Sequence, residues 1–373
     1  MGRLFAVFIG WFIVASATAC LWDRDTLDQE AKKMPGAVEA IVGYIDRNPT
    51  LYYQMRLDRI VALDREGKAS LDDLDSAAVA CERLGDSTAA IAWMEKKLKR
   101  LRGQESMEDR YRYHANLGTF YVHRWFRDGG NAEKPEDLRR GLTELQAAVR
   151  INPNAHYGRE WVQIGLVALT MEDIARRMLG ADDEEAIGWG KKLKSVSGKK
   201  TVEGLTGLIL LGDAWESVDV MSMLQTQLKL KDRTLSDLAA MRVEELVAIG
   251  KKPRLAEVQK PYERGYIEDA FKVLRRDADR YRAERESYML ARLQKGRHPD
   301  TDPTFWNEFV PVPLTDVSTL VPFSVRLSAF ISNPQNSTVF GAALLIAIAV
   351  LVYIVSNRKK RIRRSSPPAQ LAR

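Results

Sequence analysis

The sequence predicts an all-α protein built from stacked helical hairpins. Apolar residues recur at helical spacing through most of the chain, and no stretch keeps the alternation of a β-strand. Residues 112–153 form two amphipathic segments on either side of a Gly-Gly pair at 129–130. Gly118 in the first segment and Gly141 in the second stand beside large apolar residues, which indicates two helices that approach closely. Such a hairpin cannot bury its apolar face alone, so we expect an α-solenoid.

Other segments of the first half supply neighbours for this hairpin. Residues 37–45 are apolar at helical spacing and predict a helix that ends before Pro49. Residues 71–101 predict a second hairpin, with Gly85 at its turn. Residues 156–169 are amphipathic and predict the first helix of a third unit. The hairpin at 112–153 therefore has partners along the chain on both sides.

Residues 112–153 also resemble a tetratricopeptide repeat (TPR). In that family a Leu-Gly pair and a Tyr mark the first helix, small and large residues alternate on the second, and a Pro closes the unit. The matching residues here are Leu117, Gly118, Tyr121, Gly141, Leu145, Ala148 and Pro153. The segment is about eleven residues longer than the usual ~34-residue period. In the hairpin at 71–101, Lys97 stands where the family has Ala. The resemblance implies TPR-like helical repeats over residues 20–190.

The resemblance further implies a binding groove, because the first helices of stacked repeats line a concave surface. The family's register, carried over to this chain, places seven polar residues on that surface: Asp72, Asp75, Glu82, Arg83, Arg112, Thr119 and His123. Such a mixture of charges suits a protein or peptide segment as the partner. The alternative for each of these residues is an ordinary solvated position.

The second half of the chain, residues 191–297, predicts a further helical region. Residues 202–220 have the composition of a buried helix, and residues 262–295 predict a long charged helix with solvent-exposed ion pairs. An alternative is a ligand-binding or enzymatic domain in residues 191–296, with the repeats as its attachment module. In that case aromatic residues would line a pocket, namely Trp189, Trp215 and Trp306. A core helix explains the apolar stretch more simply.

The N-terminal segment, residues 1–19, predicts a secretory signal peptide. Arg3 precedes an apolar run over 4–17, and small residues stand before Cys20. Residues 17–20 also resemble a lipoprotein processing site, which makes Cys20 a candidate for lipidation. The alternatives are ordinary cleavage after position 19 and no cleavage.

The C-terminal part predicts a membrane anchor. A Pro-containing membrane-proximal connector over 298–338 leads to an uncharged apolar run at 339–355, which is at the lower limit for a transmembrane helix. Six Arg and Lys residues at 357–364 follow it, so the tail at 356–373 should be cytoplasmic by the positive-inside rule. The bulk of the protein would then be periplasmic or on the cell surface. The alternative is that the apolar run is a buried core helix.

Charge and motifs exclude several classes of function. The formal charge is +7, but seven Arg and Lys residues and no acid lie after position 356, so the rest of the chain is nearly neutral and predicts no nucleic-acid partner. His114 and His123 are nine residues apart, which is not the spacing of a helical metal pair. The chain has no phosphate loop and no nucleophile elbow. We therefore predict a protein that is not an enzyme, with no catalytic residues, no metal and no cofactor.

The segments at 20–27 and 48–53 are similar to those of a group of uncharacterised bacterial envelope proteins. These have a signal peptide or lipobox, TPR-like repeats and a C-terminal transmembrane helix. The resemblance implies the same localisation here. The resulting hypothesis is a membrane-anchored extracytoplasmic helical-repeat scaffold that binds a protein or peptide partner in the bacterial envelope.

Overall fold

The computed structural model describes residues 36–101, 106–153, 158–179, 184, 187–188, 198–212, 214–229, 231–255 and 257–325. Within these ranges every regular element is a helix and none is a strand, which confirms the all-α prediction for that part of the chain. The chain divides into two compact units, Met1–Thr315 and Asp316–Arg373. The signal peptide, Cys20, the apolar run at 339–355 and the tail lie outside the described residues.

The first unit contains eleven of the described α-helices, numbered here in chain order. They are α1 (Ala37–Val42), α2 (Thr50–Arg65), α3 (Leu71–Arg83), α4 (Ser87–Arg100), α5 (Met107–Arg127), α6 (Glu136–Ile151), α7 (Arg159–Leu179), α8 (Gly198–Leu210), α9 (Val218–Leu228), α10 (Arg233–Ala248) and α11 (Gly265–Leu293). A 3₁₀ turn at Ala214–Glu216 separates α8 from α9, so the stretch at 202–220 is not one helix. In the second unit the short helix α12 spans Val317–Leu320.

Short polar residues fix where the helices of the predicted hairpins begin. Ser70 and Ser106 each accept a hydrogen bond from the backbone N–H three residues later, and the Asp at that position reaches back to the Ser backbone. This reciprocal pairing satisfies two donors that a helix start leaves free. Gly85 adopts a φ of 93° at the turn between α3 and α4, as its position in the sequence predicted.

Successive helices pack side by side through the first unit, in an arrangement compatible with a helical-repeat fold. α3 packs against α4, α5 against α6 and α9 against α10, while α4–α5, α6–α7 and α8–α9 contacts join these pairs. Gly118 and Gly141 lie at the crossing of α5 and α6, where a Cβ on either would come within 2.9 Å of the other's carbonyl oxygen. The small residues thus allow the close approach that the sequence indicated.

The two halves of the chain, predicted as separate regions, belong to the same compact unit. α1 packs against α8, α10 and α11, and α2 packs against α11. α1 ends at Val42, earlier than expected, because Gly43 turns the chain with a φ of 77°. A Cβ at Gly43 would lie 2.2 Å from the ring of Trp215, so the close contact with the second half needs glycine there.

The first residues of the predicted connector also belong to this unit. His298 and Phe305 are buried, and the Phe305 side chain packs in a cluster with Tyr52 and Met289. The compact unit continues to Thr315. Among the residues that the structure describes, no helix is both long enough and apolar enough to cross a membrane.

Candidate interaction site

The seven residues predicted to line a groove lie on α3 and α5, but most of them are covered. Four have buried side chains, and they are Asp75, Glu82, Thr119 and His123. Arg83 is half-buried and donates to the carbonyl oxygen of Leu211 at 3.2 Å. The side chains of Asp72 and Arg112 remain 63% and 14% exposed. The inner faces of α3 and α5 therefore form an internal polar layer, and only its edge reaches solvent.

The first part of this layer is a buried ion pair. Lys97 Nζ of α4 lies 2.6 Å from Asp75 Oδ2 of α3, and both side chains are at most 1% exposed. Asn116 Nδ2 of α5 donates to the other carboxylate oxygen. Burial raises the pKa of Asp75 to about 6, although Lys97 pulls it down. The residue that departs from the repeat pattern, Lys97, is thus the partner of a predicted groove residue.

The second part joins α3 to α5 through Glu82 and His123. Glu82 Oε1 lies 2.6 Å from His123 Nδ1 and 2.5 Å from Arg127 NH2. Burial alone would raise the pKa of Glu82, but His123 and Arg127 outweigh it and hold that pKa below its ordinary value. The carboxylate is therefore charged at neutral pH and fixes the imidazole and the guanidinium.

A third contact extends the layer to α7. Gln163 Nε2 donates to Thr119 Oγ1 at 3.1 Å, and both side chains are buried. Polar side chains thus link α3, α5 and α7 along their inner faces. Such contacts hold the register between successive helices, because a buried polar group left without its partner costs free energy.

The accessible edge of the layer is an ion-pair cluster around Arg112. Its NH1 donates to Asp72 Oδ1 at 2.9 Å, and its Nε donates to Glu108 Oε1 at 2.9 Å. Burial would lower the pKa of Arg112, but Glu108, Asp75 and Asp72 outweigh it and raise that pKa. The cluster presents two carboxylates to solvent around a fixed guanidinium.

Trp215, one of the aromatics considered for a pocket, packs against arginines instead. Arg242 and Arg282 place their guanidinium carbons 3.7 and 4.3 Å from the centre of its rings. Arg275 and Arg282 of α11 also donate to the carbonyl oxygens of Val42 and Gly43, at 2.7 and 3.2 Å. These arginines hold the end of α1. Arg275 and Arg282 are seven residues apart and so lie on one face of α11, which could have indicated a shared contact. The sequence was interpreted instead as a solvated, charged helix.

The other aromatics have separate positions. Trp306 stacks on Tyr288 with ring centres 5.8 Å apart, and Trp189 lies outside the described residues. The apolar stretch after residue 202 contributes core side chains, including Leu205, Leu208 and Ile209. A core helix therefore accounts for this part of the second half.

Cys81 is a free cysteine, and its side chain is buried. Burial raises the pKa of the Cys81 thiol to about 11, so the thiol stays protonated at neutral pH. In the part of the chain that the structure describes, no cluster of three or more His, Cys, Asp or Glu side chains is placed to hold a metal ion.

The fold and the polar layer define an all-α protein of stacked helices whose inner faces are joined by buried charges. The sequence matches no protein-family model, and comparisons with curated proteins and with solved structures give no match.

Proposed function

We propose that the protein is a membrane-anchored, extracytoplasmic helical-repeat scaffold that binds a protein or peptide partner in the bacterial envelope. The observation that carries the proposal is the side-by-side packing of helical pairs fixed by buried charges. Rigid stacks of this kind present long, continuous surfaces to a partner. The apolar run at 339–355 and its basic flank support the anchor and the topology.

Within this proposal the partner contacts the accessible edge formed by Asp72, Glu108 and Arg112. These charges are held in place before binding, so little side-chain freedom is lost when a partner arrives. The buried members of the predicted groove, such as Asp75 and His123, join α3 to its neighbouring helices instead of contacting the partner.

The test is capture of partners by the full-length, tagged chain from detergent-solubilised envelopes after cross-linking. Asp72→Lys should abolish capture of a specific partner, because it reverses the most exposed charge of the edge. Asp269→Lys makes the same change at an exposed position of α11 and should leave capture intact. Equal capture by both variants, or no specific partner for the folded wild-type chain, would rule out this site.

A further inference from the structure

Residues 309–315, Phe-Val-Pro-Val-Pro-Leu-Thr, lie near the end of the first unit and are called the strap here. Pro fixes its own φ near −65° and pushes the residue before it towards extended or polyproline II conformations. Val310 and Val312 each precede a Pro, so four consecutive residues of the strap are restricted in this way. A polyproline II helix has three residues per turn.

The strap is attached to the first unit at every third residue. The Phe309 ring centre lies 5.1 Å from that of Tyr288. The Val312 carbonyl oxygen accepts a hydrogen bond from the Tyr44 hydroxyl at 2.5 Å. The backbone N–H and the hydroxyl of Thr315 both donate to Asp277 Oδ2, at 3.2 and 2.6 Å. This spacing matches one edge of a three-residue helix.

Most residues between these anchors are exposed, and Leu314 is half-buried. Val310 is 80% exposed, and Pro311 and Pro313 are exposed as well. Further back in the chain, Phe305 is completely buried and Asp300 forms a buried ion pair with Arg56. The strap therefore lies on the surface of the first unit and is only partly buried.

The face beneath the strap is built from α11 and from the turn after α1. Tyr44 stacks on Tyr281 with ring centres 4.1 Å apart, and the Tyr281 hydroxyl donates to Asp46. Proline-rich segments are recognised in general by aromatic-lined grooves. The Tyr44 hydroxyl adds a donor for a peptide carbonyl oxygen. Here Asp277 adds a carboxylate for a hydroxyl-bearing residue at the end of the segment.

We propose that this face, formed by Tyr44, Asp277, Tyr281 and Tyr288, is a docking groove for a polyproline II segment of a partner protein. The chain's own strap occupies the groove in cis. The inference rests on the proposed scaffold function and names its partner class: an extended segment with an aromatic residue, an apolar residue and a Ser or Thr at three-residue intervals, with Pro between them.

Because the strap occupies the groove, a partner segment must compete with it in order to bind. A tethered segment acts as a competitor at an effective concentration on the order of millimolar. A partner's apparent affinity is reduced by the fraction of time that the groove is open. Loosening the strap should therefore raise the affinity for a peptide supplied in trans.

The experiment measures binding of a labelled peptide with the sequence of residues 307–316 to the full-length chain by fluorescence anisotropy. The double variant Phe309→Ala, Thr315→Val loosens the strap but leaves the groove intact, and should bind the peptide at least about tenfold more tightly than the wild type. Adding Asp277→Ala to that variant should weaken binding again. Val310→Ala alters an exposed, unanchored strap residue and should behave as the wild type.

A peptide of the same composition with its three anchors spaced by four residues should not bind the loosened chain. The proposal is overturned if the loosened chain binds neither peptide, or binds both equally. If the double variant does not fold, Thr315→Val alone removes only the hydroxyl bond to Asp277 and gives the same comparison. A failed peptide experiment with intact, Asp72-dependent partner capture would refute this groove alone, whereas peptide binding without partner capture would refute only the Asp72 edge.

Discussion

Lys97 changes the environment of Asp75, a residue that the repeat pattern predicts to line an accessible groove. It occupies a position where the repeat pattern has Ala, and in the structure its ammonium group is buried against Asp75. The carboxylate was predicted to line a groove because it lies on the expected face of α3. In the structure a cation from α4 reaches the same space and covers the carboxylate. Two charges that are 22 residues apart in the chain thus neutralise each other in the interior.

Lys97→Met should destabilise the fold strongly, because it leaves Asp75 buried without its cation. Removing one partner of a buried pair costs about 3–5 kcal/mol of unfolding free energy. Chemical denaturation of the purified chain, followed by circular dichroism, measures the loss. Lys99→Met makes the same change at an exposed position nearby and should cost less than about 0.5 kcal/mol.

The cost of Lys97→Met should also shrink at about pH 5, which lies below the pKa of about 6 to which burial raises Asp75. A protonated Asp75 leaves no buried carboxylate in the variant, and at that pH the wild type has lost the ion pair as well. The double variant Asp75→Leu, Lys97→Met should recover much of the loss, because an apolar pair leaves no buried charge. A Lys97→Met chain as stable as the wild type at neutral pH would show that the pair is not buried as described.

At the scale of elements, the α5–α6 hairpin is set by two glycines. Gly118 and Gly141 face each other where the helices cross, and the surrounding space is filled by Val122 and Leu145. The crossing is tight because neither helix presents a Cβ at that point. The same hairpin was recognised in the sequence from these glycines, so local pattern and packing agree here.

Gly118→Ala should weaken this crossing. The new Cβ would lie 2.9 Å from the backbone nitrogen of Leu145 and from the carbonyl oxygen of Gly141, so backbone must move. We expect a loss of about 1–3 kcal/mol in unfolding free energy. Gly265→Ala is the matched control, since a Cβ there meets nothing within 4 Å. Equal denaturation midpoints for both variants would contradict the close approach.

At the scale of the whole first unit, the segment after α11 contacts α2, which lies near the other end of the unit in sequence. Arg56 of α2 is fully buried and pairs with Asp300, with its NH2 2.6 Å from Oδ1 and its Nε 2.9 Å from Oδ2. His298 reaches the carbonyl oxygen of Tyr52 at 3.1 Å. The segment after α11 is therefore fastened to the second helix of the protein across more than two hundred residues.

Asp300→Asn removes the carboxylate that pairs with Arg56, and the resulting loss of unfolding free energy should depend on pH. Burial alone would raise the pKa of Asp300, but Arg56, His298 and Arg59 outweigh it and hold the pKa below its usual value. Asp300 therefore binds a proton less tightly in the native state than in the unfolded chain, where the pKa of an Asp is about 3.9. The contribution of Asp300 is thus complete at pH values above that pKa and disappears as the pH falls through the lower native value.

The difference in unfolding free energy between wild type and Asp300→Asn should be about 3–5 kcal/mol near neutral pH, since Arg56 is left buried without its carboxylate. Denaturation titrations from about pH 7 to pH 3 should show the difference shrinking only below about pH 4. Asp269→Asn, at an exposed position, should show little difference throughout. A gap that grows on acidification would refute this role of Asp300.

Much of the helical content and the hairpins of the first half could be predicted from the sequence. Capping residues, turn glycines and apolar spacing are local signals, and they locate α3 to α6 well. The seven residues predicted to line a groove lie on α3 and α5. Their exposure could not be predicted, because it depends on side chains of α4 and α7 that arrive from other positions along the chain.

The sequence by itself determined most of the segments that become helices, because capping, turn and spacing signals depend on neighbours within a few residues. Only the tertiary structure decided that the inner face is a buried polar layer, that α1 and α11 join the two halves, and that the segment after α11 returns to α2. These outcomes rest on charges and backbone groups that are far apart in the chain. Their pairing is selected by the cost of leaving any of them buried and unpaired, which no local pattern records.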